Sequence, residues 1–299
     1  MTGATGFVGR ALVARLQADG AEVIALGSRD ADLRDPASLE RFADVSLDRV
    51  YHLAAWTQAG DFCLTHSADQ WIVNQLINTT VLQWWARYHR GTKLVSLGTS
   101  CAYAEGSGLR EDEYLVGTPI ADLYTYAMTK RMLHIGQMSV ATQLGGRYLT
   151  LVPSTLYGPG YHDDTRQMHF IFDIIRKVLD YDRTGEPVVL WGDGHQTREL
   201  VFIDDFVRDM LAVDAVVNDD VVNLGAGVEH SIREFAHRVC AIVGVDSRAV
   251  QYDVSRYVGA RSKCLDVTKV RRILPERRLT PLDEGLRITV EWMRERRRP

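Results

Sequence analysis

Short apolar, β-branched runs alternate along this chain with longer stretches of helical periodicity. The runs 21–27 (AEVIALG), 49–55 (RVYHLAA), 93–98 (KLVSLG), 147–153 (RYLTLVP) and 221–225 (VVNLG) read as strands. Several are apolar at nearly every position, as strands covered on both faces are, rather than alternating. Between them, 9–19, 68–88 and 124–143 carry helical patterns. Strand and helix in alternation predict stacked βαβ units: an α/β, Rossmann-like, doubly wound parallel sheet. After Pro159 the character changes: 160–220 hold helical segments and one short strand (PVVLW), and 230–299 are mostly helical. The expected organisation is a dinucleotide-binding domain over 1–158 joined by a later strand near 221–225. A smaller, discontinuous substrate-binding lobe comes from 159–220 and 226–299. Ligands in such sheets sit at the carboxyl ends of the strands, so motifs there carry the most weight.

Composition adds exclusions. The 299 residues are 46% apolar, with 35 Lys plus Arg against 39 Asp plus Glu, a net charge of −4. That balance gives no footprint for nucleic acid or an anionic membrane surface, and the basic end at 270–299 reads as a solvated helix. No run approaches the roughly 18 uninterrupted apolar residues of a membrane-spanning helix, and the start does not read as a secretory signal. Cys63, Cys101, Cys240 and Cys264 lie far apart with no C-x-x-C pair. This excludes a disulfide scaffold or zinc ribbon, predicts no metal site and fits a reducing cytoplasm.

Near the start, Gly3, Gly6 and Gly9 form G-x-x-G-x-x-G. Glycines there let the backbone turn tightly against a pyrophosphate seated on the following helix's N-terminus, bringing Thr5, Phe7 and Val8 beside it. The pattern alone is common; its context is a strand before and a helix after. Only Met1 precedes Thr2, so a natural start further upstream, supplying the first strand, is expected. About 20 residues past Gly9, where a ribose reader belongs, stand Ser28 and Arg29. An Arg suits a 2′-phosphate and so favours NADP(H), although Asp30 is adjacent. Asp32, Leu33, Leu53, Ala54 and Ala55 would flank the dinucleotide or serve equally as core.

Tyr126 and Lys130 form Y-x-x-x-K on a predicted helix, where positions i and i+4 share a face. A neighbouring ammonium favours phenolate and is expected to bring the Tyr126 pKa down from about 10 toward neutrality. Thr99, ending the 93–98 run, adds a hydroxyl. These three with the glycine loop resemble the extended short-chain dehydrogenase/reductases across essentially the whole chain.

Finer features resemble one branch, the GDP-L-fucose synthases, 3,5-epimerase–4-reductases of a GDP-4-keto-6-deoxy sugar. Gly98-Thr99-Ser100-Cys101-Ala102-Tyr103 is similar to their G-S-S-C-x-Y, and residues 153–159 (PSTLYGP) to P-T-N-L-Y-G-P. Met168-His169 with Arg176-Lys177, Trp191-Gly192-Asp193-Gly194 with Arg198-Glu199, and Lys263-Cys264-Leu265-Asp266-Val267 match further motifs. The resemblance implies that Cys101 and His169 are the epimerisation acid and base, with His162 a rival acid. It implies cofactor contacts from Pro153, Thr155 and Leu156, and substrate contacts from Ser100, Thr155, His169, Lys177, Trp191, Arg198 and Lys263. It also implies a homodimer through helices at about 68–88 and 124–143, although Trp71, Trp84 and Trp85 serve equally as core. Chemistry agrees, since a C4 ketone acidifies C3 and C5, and Cys and His both exchange protons near neutrality. The 4,6-dehydratases carry an acidic pair where this chain has Ser100-Cys101, UDP-galactose 4-epimerases lack the cysteine, and plant-type GDP-mannose 3,5-epimerases pair it with Lys. Two departures touch the substrate: Thr155 replaces the branch's Asn, and 254–262 replace K-P-D-G-T-P-R, which admits a related sugar such as a heptose. A 4-reductase without epimerisation and a non-catalytic NADP(H) sensor are the alternative readings. Cys63, Cys240, Cys264, His52 and His195 read as packing.

Overall fold

In the computed structural model, which describes residues 1–57, 62–162, 164, 168–256 and 260–297, four of the expected runs pair into one sheet. Its order is Arg49–His52, Lys93–Leu97, Tyr148–Pro153, Asp220–Leu224, and every pairing is parallel. The two middle strands are buried almost throughout, which is why their sequences do not alternate. Parallel strands deliver their carboxyl ends to one edge, so the residues after His52, Leu97, Pro153 and Leu224 gather there.

The expected strand at 21–27 does not form. That stretch bridges the sheet at Leu26, through Thr2, which also bridges His52, and its Ile24 O accepts from the Met1 ammonium (2.8 Å). The reason is geometric. Met1 and Thr2 occupy the place between the two runs, donating from Thr2 N to Tyr51 O (2.9 Å) and accepting at Met1 O from Leu26 N (2.9 Å). Two residues supply too few partners for a ladder, so Val23 and Ile24 are left half-exposed.

Phe7–Ala18, Ser67–Tyr88 and Tyr124–Leu144 are the helices expected near the N-terminus. The latter two cross so closely that a Cβ on Gly136 would meet Leu82 Cδ1 at 2.4 Å. A buried polar network fixes Tyr124–Leu144 on the sheet. Gln137 Oε1 accepts from Ser96 Oγ (2.7 Å) and Thr150 Oγ1 (3.0 Å), and its amide donates to Leu94 O (3.1 Å). Leaving one such buried group unpaired costs about 1–3 kcal/mol, so the network enforces one register. A second chain of bonds runs from Thr2 Oγ1 to His52 Nδ1 (2.8 Å), His52 Nε2 to Asn78 Oδ1 (3.2 Å) and Asn78 Nδ2 to Thr129 O (3.3 Å). Burial, reinforced by the nearby Lys130 ammonium, pulls His52 down to about 4 and keeps it neutral; it is a core histidine, as expected.

A second core lies among helices Phe170–Thr184, Ile232–Val243 and Leu282–Glu295, beside the parallel pair Val188–Trp191 and Val250–Asp253. Phe172, Phe235 and Leu286 are fully buried in it. Ser231 and Glu234 cap the middle helix reciprocally (3.1 and 2.7 Å), satisfying two otherwise unpaired backbone donors. No described helix is long and apolar enough to cross a membrane.

Candidate active site

Gly3 has φ +70°, and a Cβ on it would stand 2.6 Å from Ala54 N; one on Gly9 would stand 2.1 Å from Gly3 O. The turn, the helix start and the segment after Arg49–His52 therefore nest backbone to backbone. Gly6 caps the helix Phe7–Ala18 without any side-chain hydrogen bond, leaving first-turn N–H groups to meet an anion. This cradle fits a dinucleotide pyrophosphate. The side chains of Phe7 and Val8 pack inward: Phe7 meets Tyr161 edge-on at 5.3 Å, and Val8 lies on the sheet core. Thr5 is exposed, its methyl facing Gly27.

Ser28 and Arg29 are exposed at the end of the extended stretch. The neighbouring Asp30 carboxylate is occupied, accepting from Gly27 N at 2.8 Å, so it closes the turn beneath Arg29. Asp32 is also engaged, accepting from Arg34 through both oxygens (2.8 and 2.7 Å). Leu33 and Leu156 are buried in the cores, and Leu53, Ala54 and Ala55 are partly buried. Leu33 packs in the core beside the extended stretch and Leu156 in the core of the sheet. Pro153 ends its strand, and Thr155 opens Thr155–Tyr157, which pairs with Leu200–Phe202.

Beyond Gly98 the chain turns through a short 3₁₀ helix, Ser100–Ala102. Thr99 caps it, accepting from Cys101 N at 3.2 Å, so the hydroxyl and the thiol are held in one tight turn. Tyr126, in the first turn of Tyr124–Leu144, lies close enough to feel both. Its pKa departs from expectation. Burial pushes it up, and the negative charge of Cys101 adds to that; the Thr99 hydroxyl pulls the other way without overcoming them. Lys130 is one turn along and buried, and burial brings it down to about 8. The expected lowering of Tyr126 by Lys130 does not set its pKa; desolvation of the phenolate does. The phenol is held protonated, the state a proton donor needs.

Cys101 meets a partner from the far end of the chain. Lys263 Nζ lies 2.9 Å from Cys101 Sγ. Burial alone would raise the thiol's pKa, but Lys263, Thr99 and Arg198 together bring it below its ordinary value. His169 is not within a helix, as its apolar surroundings suggest, but stands just before Phe170–Thr184. It is exposed, yet crowded by neighbours such as Tyr161, whose ring centre lies 6.0 Å from its own. That crowding, with the positive charges of His162 and Lys263, pulls it down to about 4.

Ser100 is partly exposed. Trp191 is 51% exposed, with the Arg256 guanidinium 5.6 Å from its ring centre. Lys177 is tied to Asp173 (2.7 Å) and donates to Val189 O (2.8 Å), so it is engaged within its own lobe. Arg198 donates to Thr197 O and acts electrostatically on Cys101. Of the 254–262 departure, 257–259 lie outside the described residues. Among the described residues no group of three or more His, Cys, Asp and Glu side chains could hold a metal ion. Sequence reasoning missed the Lys263–Cys101 contact, since 162 positions separate the two and no local pattern marks them.

Residues 1–225 match the model of the NAD dependent epimerase/dehydratase family. A GDP-L-fucose synthase of Azorhizobium caulinodans is 30% identical, over 98% of this chain and 95% of its own length. A dTDP-4-dehydro-6-deoxy-D-allose reductase of Streptomyces bikiniensis is 28% identical, over 100% and 96%. The crystal structure of a GDP-L-fucose synthetase from Naegleria fowleri bound to NADP superposes with a TM-score of 0.87 at 23% identity, covering 98% of this chain and 92% of that one. With the glycine cradle, the buried Lys130 and the protonated Tyr126 in place, this chain belongs to the NAD dependent epimerase/dehydratase family.

Proposed function

We propose that this protein is an NADP(H)-dependent epimerase and reductase of a nucleotide-linked 4-keto-6-deoxy sugar, most naturally a GDP-sugar. The observation that carries the reading is the convergence of Thr99, Cys101 and Tyr126 on one another, with the buried Lys130 one turn along the same helix. Residues 1–158, with the strand near 221–225, form the cofactor-binding domain. The remainder forms the lobe that holds the nucleotide sugar.

When bound, the cofactor supplies a hydride for C4. Tyr126, kept protonated by its burial, gives its proton to the C4 oxygen, and Thr99 holds that oxygen by hydrogen bonding. Lys130 carries a positive charge at neutral pH on the same helix face and offsets the phenolate left behind. Before reduction, Cys101 removes a proton from C3 or C5, and the enolate oxygen rests on the same two hydroxyls. His169 returns a proton to the opposite face. Arg198 and Trp191 offer charge and an aromatic surface to a nucleoside diphosphate.

Arg29 sets cofactor choice, since it is exposed where a ribose 2′-phosphate belongs and its acidic neighbour Asp30 is occupied. Arg29→Ala raises the KM for NADPH roughly tenfold or more and leaves that for NADH nearly unchanged, because only a charge-assisted contact is lost. Equal use of both cofactors by the wild type overturns this assignment.

The protein acts as a homodimer in the cytoplasm. Trp71, Ile72 and Leu76 on Ser67–Tyr88 and Met132, Ile135 and Met138 on Tyr124–Leu144 are exposed apolar side chains on two helices packed together. A second copy would cover them, whereas Trp84 and Trp85 are already core. The test of function is NADPH consumption with GDP-, dTDP- and UDP-linked 4-keto-6-deoxy sugars. Turnover is expected with a GDP-linked ketone, including a heptose; no turnover with any of them removes the reductase.

A further inference from the structure

The 260–266 connection is pinned residue by residue. Ser262 Oγ donates to Glu229 (2.9 Å), Lys263 N to Glu229 Oε2 (3.3 Å), Leu265 N to the buried Glu199 (3.2 Å) and Asp266 N to Leu109 O (3.2 Å). Glu199 also accepts from Gly227 N. Two carboxylates and a backbone bond are thus spent on fixing a segment with no regular structure of its own. The side chain delivered between them is Lys263, and its ammonium ends on Cys101 Sγ at 2.9 Å.

From this geometry we propose that Lys263 is a positioning residue for Cys101, holding the sulfur as a thiolate ready to act as base, rather than a contact for the substrate's diphosphate. The proposal deepens the epimerase reading and rests on it for the role of the thiolate, though not for its existence. A thiol without such a partner has a pKa of about 8.5 and is mostly protonated at neutral pH. An opposite charge in direct contact lowers a pKa by about 1–3. The groups facing Cys101 are Lys263 from the pinned connection, Thr99 from its own turn, Arg198 from the short strand Thr197–Arg198, Tyr126 and Tyr114, and Cys63. Of these, Lys263 and Arg198 carry the positive charge, and Lys263 lies in direct contact with the sulfur. His169 is held neutral, so it brings no second positive charge to the thiolate.

The test is the pH profile of Cys101 alkylation by iodoacetamide, read on the Cys101 peptide by mass spectrometry in the full-length protein without substrate. The thiolate attacks the CH₂ carbon and iodide leaves, so the rate follows the ionised sulfur. In wild type the midpoint lies below that of an ordinary thiol. In Lys263→Met it rises by about 1–3 pH units. Below both midpoints the rate falls about 3- to 30-fold, less than the loss of thiolate, because a more basic thiolate is the better nucleophile. Lys263→Arg, which restores a cation, keeps the midpoint low. Buried Cys63 and Cys240 report folding in the same sample by staying unreactive, and Lys263→Gln gives the same reading if Met is not tolerated. An unchanged midpoint in the folded neutral variants overturns the proposal. Because no substrate is present, that failure is distinct from a failure of epimerisation itself.

Discussion

Tyr126→Phe loses roughly two to four orders of magnitude in ketone reduction, the range for removing a positioned general acid. In free energy that is about 3 to 5 kcal/mol of transition-state stabilisation. The ring stays, so packing in the first turn of Tyr124–Leu144 is unchanged, and NADPH binding followed by its fluorescence survives. The size of the loss follows from the site's electrostatics. Burial and the Cys101 charge hold the phenol protonated, so at neutral pH essentially every wild-type molecule starts with the proton that the C4 oxygen requires. The profile of the reductive step is therefore flat through neutrality on the Tyr126 side and falls only in alkali. A variant with near-wild-type turnover removes Tyr126 as the acid.

The same helix shows what a sequence discloses and what it does not. Tyr126 and Lys130 are legible because helical geometry alone puts positions four apart on one face. Gly3, Gly6 and Gly9 are legible because only glycine permits the approaches at Ala54 N and Gly3 O. The four sheet strands are legible because burial on both faces leaves continuous apolar runs. Three features required the fold. The run 21–27 has strand composition but only Met1 and Thr2 beside it, and ladder bonds need a partner that composition cannot supply. The Tyr126 pKa depends on how much water the neighbours exclude, not on spacing, so the shift predicted from Lys130 alone had the wrong sign. The Lys263–Cys101 contact depends on carboxylates at 199 and 229 pulling one connection across the cleft.

That contact bears on how the two halves of the proposed reaction separate. In deuterated water with NADP⁺ in place of NADPH, hydride transfer to the 4-keto substrate is blocked, while removal of a proton from C3 or C5 is not. Wild-type enzyme is expected to wash deuterium into one or both positions, since each enolisation takes a substrate proton and returns a solvent deuteron. Cys101→Ala abolishes that exchange. The base is gone, and the adjacent Ser100 hydroxyl is far too weak an acid to be ionised beside Lys263 as the thiol is. His169→Ala impairs inversion more than exchange, because a single base returns deuterium to the face it deprotonated. The imidazole is neutral at working pH and acts as donor through its ring N–H, regaining that proton from solvent. Reduction of the unepimerised ketone by NADPH persists in both variants, since Thr99, Tyr126 and Lys130 are untouched. NMR of the recovered sugar reads exchange and inversion together. No deuterium uptake by wild type, on a ketone it demonstrably reduces, makes this protein a simple 4-reductase and leaves Cys101 without a part in proton transfer.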